Sequence, residues 1–310
     1  MTEKRVSEPQ TVQPLVRSGS SVGRIFDLMV QQRRTLAGVM SWIGIFILFS
    51  FIFIALFFLF FPFLSPYDPQ HVFLTPPNQP PSLQHLMGTD DLGRDIFTRV
   101  LWGTQTSLAI MAIGTLLALV IGFPIGLYSG YVGGYVDRSL VLIMDSVYAF
   151  PGLLLAATVA LFLGKGVLNI GIAITVLYVP TYFRVTRNQT LSTREETYVE
   201  AAKALGARNW TVIWSYIAYN VIVSIPVIFS LSAADAILTA AGLSFLGLGL
   251  ERPTPDWGLD LSDAQKFLLS GVWWSSFFPG LMIILLTIGL SFLGEGLNDL
   301  VNPLLRKERG

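Results

Sequence analysis

The side chains able to do chemistry are few in this chain, and their spacing argues against catalysis. Two histidines, His71 and His85, lie in a proline-rich stretch, and neither has a second ligand at helical spacing, so no metal site is expected. Cysteine is absent, which removes a thiol nucleophile, a disulfide frame and Cys-ligated metal. No histidine falls where a Ser/His/Asp triad would have to assemble, and no pair of carboxylates occupies a plausible aqueous cleft. Gly247 and Gly249 form a Gly-x-Gly string, but no Gly-x4-Gly-Lys-Ser/Thr sequence provides a P-loop for ATP. The expectation is a protein that is not an enzyme and binds no cofactor of its own.

Asp145 and Asp235 are different, because each sits inside a long apolar run. A carboxylate at membrane depth is costly enough that it faces a water-filled cavity or a partner, so both are candidates for a solute pathway. The plainer readings are a carboxylate near the headgroups for Asp145, seven residues past Arg138, and an interhelical or intersubunit hydrogen bond for Asp235.

The remaining informative segment is polar, from Ser192 to Trp210. Ser192 with Glu195, or Thr193 with Glu196, is spaced as a capping box, predicting a helix over 193–205 of roughly 18–20 Å. Tyr198, Ala201, Ala202 and Leu205 recur at i, i+3, i+4 and i+7 on one face, with Glu200, Lys203 and Arg208 on the other. Gly206 suits a C-terminal position of positive φ, and Asn209 can cap the next helix. The small alanines would let a partner's groove approach the backbone; a helix lying on lipid headgroups or on its own bundle fits the periodicity equally well.

The elements around these residues are membrane spans. Hydrophobic residues make up 53% and charged residues 13% of the 310, with a mean hydropathy of +0.62, unlike an ordinary soluble domain. Runs able to cross ~30 Å of hydrocarbon fall near 39–61, 107–130, 139–163, 167–183, 216–245 and 277–297. The fold class expected is all-α, a polytopic membrane protein of about six transmembrane helices. With the N-terminus inside, fifteen of the 20 Lys/Arg fall on the cytoplasmic side, which places both termini there. The chain then divides into a cytoplasmic tail (1–38), a permease-like membrane domain (39–300) and a short cytoplasmic tail (301–310). Within the membrane domain, 62–85 is a proline-rich external segment and 184–215 the main cytoplasmic loop. Asp90 or Asp91 can cap a short helix through about Trp102, with Asp95 and Arg99 paired at i, i+4 and Gly103 ending it. Gly130, Gly133 and Gly134 mark a turn after the second span. Zero net charge removes any case for nucleic-acid binding.

Glu200-Ala201-Ala202-Lys-Ala-Leu-Gly206 resembles the EAA motif of the permease subunits of ABC importers. The segments His85–Asp95, Leu243–Gly249 followed by Pro253–Gly258, and Phe278–Gly280 leading to Gly294–Asp299 resemble the DppC/OppC-like group for dipeptides, oligopeptides and nickel, in the same order and at similar spacing from about residue 33 onward. The resemblance implies a type I ABC importer permease in a bacterial plasma membrane, with Tyr198, Glu200, Ala201, Ala202, Leu205 and Gly206 on a coupling helix. It implies as partners a homologous second permease, two ABC ATPases that hold the ATP and Mg, and an extracytoplasmic substrate-binding protein. Peptides are the substrate it favours, although nickel and oligosaccharide systems share these motifs. Three positions depart from the group: Tyr216–Asn220 lacks the usual proline, Gln105 replaces an arginine, and Thr239–Ala241 lacks an acidic residue. The alternative is an ion-coupled secondary transporter, for which there are the two buried acids and no internal repeat.

Overall fold

The computed structural model describes residues 36–73 and 75–301, so nearly all of the expected tails lies outside the described residues. Long apolar stretches coil because hydrocarbon offers no partner for backbone N–H and C=O groups. The helices are α1 (Leu36–Phe60), α2 (Ile96–Val132), α3 (Gly134–Tyr148), α4 (Gly152–Leu163), α5 (Val167–Thr193), α6 (Thr197–Ala204), α7 (Asn209–Phe245), α8 (Trp257–Ala264) and α9 (Trp274–Val301). Among the described residues no strand forms beyond an isolated bridge between Thr89 and Asp95. Five helices are long and apolar enough to cross a membrane. A sixth crossing is available only if α3 and α4 act together, and they meet at 89°. The expected straight span at 139–163 is therefore corrected to a broken one. Pro151 is the reason, since it disfavours helical backbone at Phe150 and starts α4 afresh. Pro180, by contrast, is accommodated inside a continuous α5 that is longer than expected.

Small residues set the closest helix contacts. Gly114, Ala118, Gly122, Gly126 and Gly130 recur every four residues and form one stripe of α2. A Cβ at Gly122 or Gly126 would lie 2.7 Å from the Val179 or Phe183 carbonyl oxygen of α5, so the two backbones touch along the stripe. Gly44 of α1 meets Gly289 of α9 in the same way, its Cβ position 2.6 Å from the Gly289 oxygen. Around these crossings Ile110, Ile174, Tyr178, Ile237, Leu243, Trp257 and Leu286 form the main core.

At the end of the bundle opposite Gly206, the proline-rich segment is held down by hydrogen bonds, and three expectations fail. The helix α2 is capped by Asp95, not Asp90 or Asp91, with Asp95 Oδ2 accepting from the Thr98 N–H at 2.8 Å. It also continues through Gly103 to Val132, because Gly103 is where the Trp257 indole packs against the helix backbone, its Nε1 donating to the Val100 carbonyl at 2.9 Å. Asp95 accepts from His85 Nδ1 at 2.8 Å, so it is not the partner of Arg99. The buried Arg99 guanidinium instead donates to Asp260 at 3.0 Å and to the carbonyls of Pro69 and Pro253 at 2.8 and 3.0 Å, joining three distant segments. Arg99→Ala leaves a buried carboxylate and these carbonyls unpaired, and should destabilise the protein by about 3–5 kcal/mol. Thermal melting in detergent measures this, and Arg99→Lys, without the planar array of donors, should not restore the loss.

Candidate functional site

Two places bring the sequence candidates together: the corner at Gly206 and a cavity beside Asp235.

At the corner, the expected thirteen-residue helix is corrected to the eight-residue α6, about 12 Å long. Ser192 and Thr193 are consumed by the end of α5, Arg194–Glu196 turn the chain, and Glu196 occupies the N-cap without a side-chain cap, so no capping box forms. The C-terminal end behaves as read. Gly206 has φ +84°, its N–H donates to the Lys203 carbonyl at 2.9 Å, and the Ala207 N–H reaches the Ala202 carbonyl at 3.0 Å, the paired hydrogen bonds of a Schellman motif. Asn209 does not cap; Arg208 holds the N-cap position, and Asn209 Oδ1 accepts from the Tyr131 hydroxyl.

The shorter helix also presents different faces. Val199, absent from the predicted stripe, is fully buried against Leu127, Val212, Ile213, Ile217 and Val221, and Ala202 is buried as well. Tyr198 and Leu205 are 40% and 89% exposed, and Glu200 and Ala201 are exposed as well. One side of α6 is thus tied to the root of α7, while Tyr198, Ala201 and Leu205 face outward. The root itself contains a π-helical stretch over Val212–Ile217 and a 3-10 turn over Ile222–Ser224. The root of α7 is thus irregular although Tyr216–Asn220 lacks the proline.

The second place is a cavity of about 600 Å³ between the α3–α4 break, α5 and α7. Tyr148, Phe150 and Leu153 line it from the break, Tyr178 and Thr181 from α5, and Ser232, Asp235 and Thr239 from α7. Asp235 Oδ2 accepts from the hydroxyl of the buried Tyr178 at 2.6 Å. Asp145 is not brought to Asp235. It accepts from Arg184 Nη2 at 2.8 Å, and the guanidinium lies 4.4 Å from the ring centre of Tyr148.

Electrostatics at the far end are dominated by burial. Burial raises the Asp91 and Asp260 carboxyls, with neighbouring Asp90 adding to the rise at Asp91 and Arg99 opposing it at Asp260. Asp256 caps α8 by accepting from the Leu259 N–H at 2.8 Å, and burial pushes its carboxyl from 3.8 up to about 6. A raised carboxyl favours the fold when protonated: its stabilisation is complete below about pH 4 and is lost as pH rises through about 6. Asp256→Asn keeps a capping oxygen, so melting temperatures between pH 4 and 7 should lose an upward trend toward acid worth on the order of 2–3 kcal/mol. His71 and His85 join no metal-ligand group among the described residues.

The sequence reading missed Val199, Tyr178 and the Arg99–Asp260 pair. Val199 lies beside the predicted stripe, but nothing local signals a pairing across 161 residues.

A family profile described as "Binding-protein-dependent transport system inner membrane component" matches residues 122–307. The chain is 39% identical over 245 residues to the glutathione transport system permease protein GsiD of Pectobacterium atrosepticum, covering 79% of this chain and 81% of that protein. It is 40% identical over 266 residues to the dipeptide transport system permease protein DppC of Alkalihalophilus pseudofirmus, covering 85% and 86%. It is 38% identical over 245 residues to the probable D,D-dipeptide transport system permease protein DdpC of Escherichia coli, covering 79% and 82%. Among solved structures, an inward-facing MetNI methionine ABC transporter shares the fold at a TM-score of 0.53 and 15% identity, over 66% of this chain and 94% of that one.

Proposed function

Because the chain belongs to the family of binding-protein-dependent transport system inner membrane components, we propose that it carries small peptides across the membrane, with α6 seated on an ATPase subunit and the Asp235 cavity forming part of the route. Members of this family are permease subunits of ABC importers; they span the membrane and leave ATP hydrolysis to separate subunits. That membership replaces the ion-coupled alternative. Peptides follow from the relatives' substrates, glutathione, dipeptides and D,D-dipeptides.

In this reading a homologous second permease closes the pathway, two ATPases hold ATP and Mg, and an extracytoplasmic binding protein delivers the peptide. The chain itself holds no cofactor. Both termini and the Gly206 corner face the cytoplasm, and the Pro-rich segment faces outward.

The observation that carries the coupling role is the division of α6. The buried Val199 locks it to the base of α7, while Ala201 and Leu205 are exposed and Tyr198 is 40% exposed on its outer side. Such a helix transmits a push as a rigid piece. Closure of the ATPases moves the corner, and the irregular root of α7 absorbs the change as the cavity switches its access.

Cross-linking tests the assignment and the sidedness together. The chain has no cysteine, so Leu205→Cys supplies this subunit's single thiol. With a short thiol-to-amine reagent it should capture an ATPase subunit in the assembled transporter. Leu83→Cys, 99% exposed at the opposite end, should capture none. ATPase captured from Leu83, or from neither position, would overturn the docking.

A further inference from the structure

We propose that Asp235 is a cation-selecting contact of this cavity, its carboxylate receiving the terminal ammonium of the transported peptide; this rests on reading the cavity as the solute route.

Asp235 is exposed on α7 in the middle of a candidate span, one turn from the exposed Leu231 and Leu238. A carboxylate turned to hydrocarbon is too costly to leave there, so this face meets water, a ligand or a partner subunit.

Asp235 alone is charged among the residues lining the cavity. Arg184 and Asp145 pair with each other at 2.8 Å, and the guanidinium rests on the ring of Tyr148, which lines the cavity. The hydrogen bond from the Tyr178 hydroxyl fixes Oδ2 but leaves the negative charge in place, and Oδ1 has no partner among the described residues. One uncompensated negative charge, poorly screened between apolar walls, attracts cations and repels anions.

An ammonium brings three N–H donors. Ser232 and Thr239 stand three residues before and four after Asp235 and line the same cavity, with Thr239 Oγ1 3.5 Å from the Tyr178 hydroxyl, so their hydroxyl oxygens add acceptors on its face of α7. Phe150, Leu153, Leu177 and Leu231 make the remaining wall apolar and without a specific shape demand. A fixed cation contact beside a permissive apolar wall suits a substrate whose ammonium is constant and whose side chains vary.

The test uses the complete transporter in lipid vesicles, with its ATPases and binding protein. Leu231→Cys places the subunit's single thiol in the cavity, one turn before Asp235. Its rates of modification by cationic methanethiosulfonate-ethylammonium and anionic methanethiosulfonate-ethylsulfonate are read from the mass of this chain. Each rate is normalised to the same reagent on the exposed Leu83→Cys chain. The cationic reagent should be favoured by about tenfold or more, and adding Asp235→Asn should bring the ratio to within about twofold.

If neither reagent reaches Leu231→Cys, the cavity is not a watered route, and the pathway reading falls together with this inference. Equal rates in the native background leave the route standing and overturn cation selection. A preference that survives Asp235→Asn removes Asp235 as its source. Loss of the assembled complex in Asp235→Asn would make the carboxylate a subunit contact and overturn the proposal.

Discussion

Leu205→Asp is expected to abolish peptide-stimulated ATP hydrolysis and uptake while the subunit still folds. Leu205 is 89% exposed and touches none of the packing that holds α6 to α7, so the native chain gains little from it. Its large apolar surface acquires a role only when a partner covers it. A buried apolar contact at the centre of an interface is commonly worth 2–4 kcal/mol, and burying an unpaired carboxylate in its place adds a desolvation cost, so ATPase association should weaken roughly 100-fold or more. Co-purification of the ATPases and stimulated hydrolysis in lipid vesicles are the measurements. Normal coupling in Leu205→Asp would remove α6 from the interface.

Ala202→Arg makes an instructive comparison. Ala202 lies in the same Glu-Ala-Ala sequence but is 6% exposed, and its carbonyl accepts from the Ala207 N–H of the turn, so arginine there should damage the corner itself and lower the melting temperature. Gly206→Asp strains a residue at φ +84° and should loosen the turn, although a Cβ meets nothing within 4 Å. Only Leu205 separates docking from folding cleanly.

The second large effect is expected from Gly126→Leu, which should prevent the folded subunit from accumulating. A Cβ at this position lies 2.7 Å from the Phe183 carbonyl oxygen and 2.8 Å from the Thr186 Cβ, and both neighbours belong to α5 rather than to a flexible side-chain tip. The helices would have to separate along their longest contact, forfeiting dispersion and hydrogen-bonding gains at Gly122, Gly130 and Thr175 as well. A loss of more than about 4 kcal/mol follows from overpacking of this kind, close to the whole stability of many domains. Yield in the membrane fraction and melting in detergent test it. Gly242→Ala is the control, because its Cβ would sit 3.4 Å from the Leu153 Cδ1, an ordinary contact. Equal tolerance at the two glycines would contradict the backbone-to-backbone packing.

What the sequence settled by itself was everything governed by local composition. Long uncharged runs specify helices in lipid without knowledge of their neighbours, so the all-α class and the first, second, fourth, fifth and sixth spans were legible. The same holds for the left-handed Gly206, for the Gly133–Gly134 turn, with φ of +68° and +62°, and for the motif similarity that led to the permease family.

Tertiary structure decided what depended on distant partners. Periodicity placed Tyr198, Ala201, Ala202 and Leu205 on one stripe, but α5 runs on through Thr193 and shortens α6, and the buried face becomes Val199 and Ala202. Gly103 reads as a helix stop until Trp257, 154 residues later, is seen to need its missing side chain. Arg99 reads as a partner of Asp95 at i, i+4, yet Asp260 and two carbonyls offer a buried array of acceptors that no local residue matches. Asp145 and Asp235 look equivalent in the sequence because both are carboxylates in apolar runs; Arg184 neutralises one, and the other is left charged at the cavity beside Tyr178. Local sequence fixes where a backbone can satisfy its own hydrogen bonds. Which side chain meets which charge depends on how the helices cross, and that geometry belongs to the whole bundle.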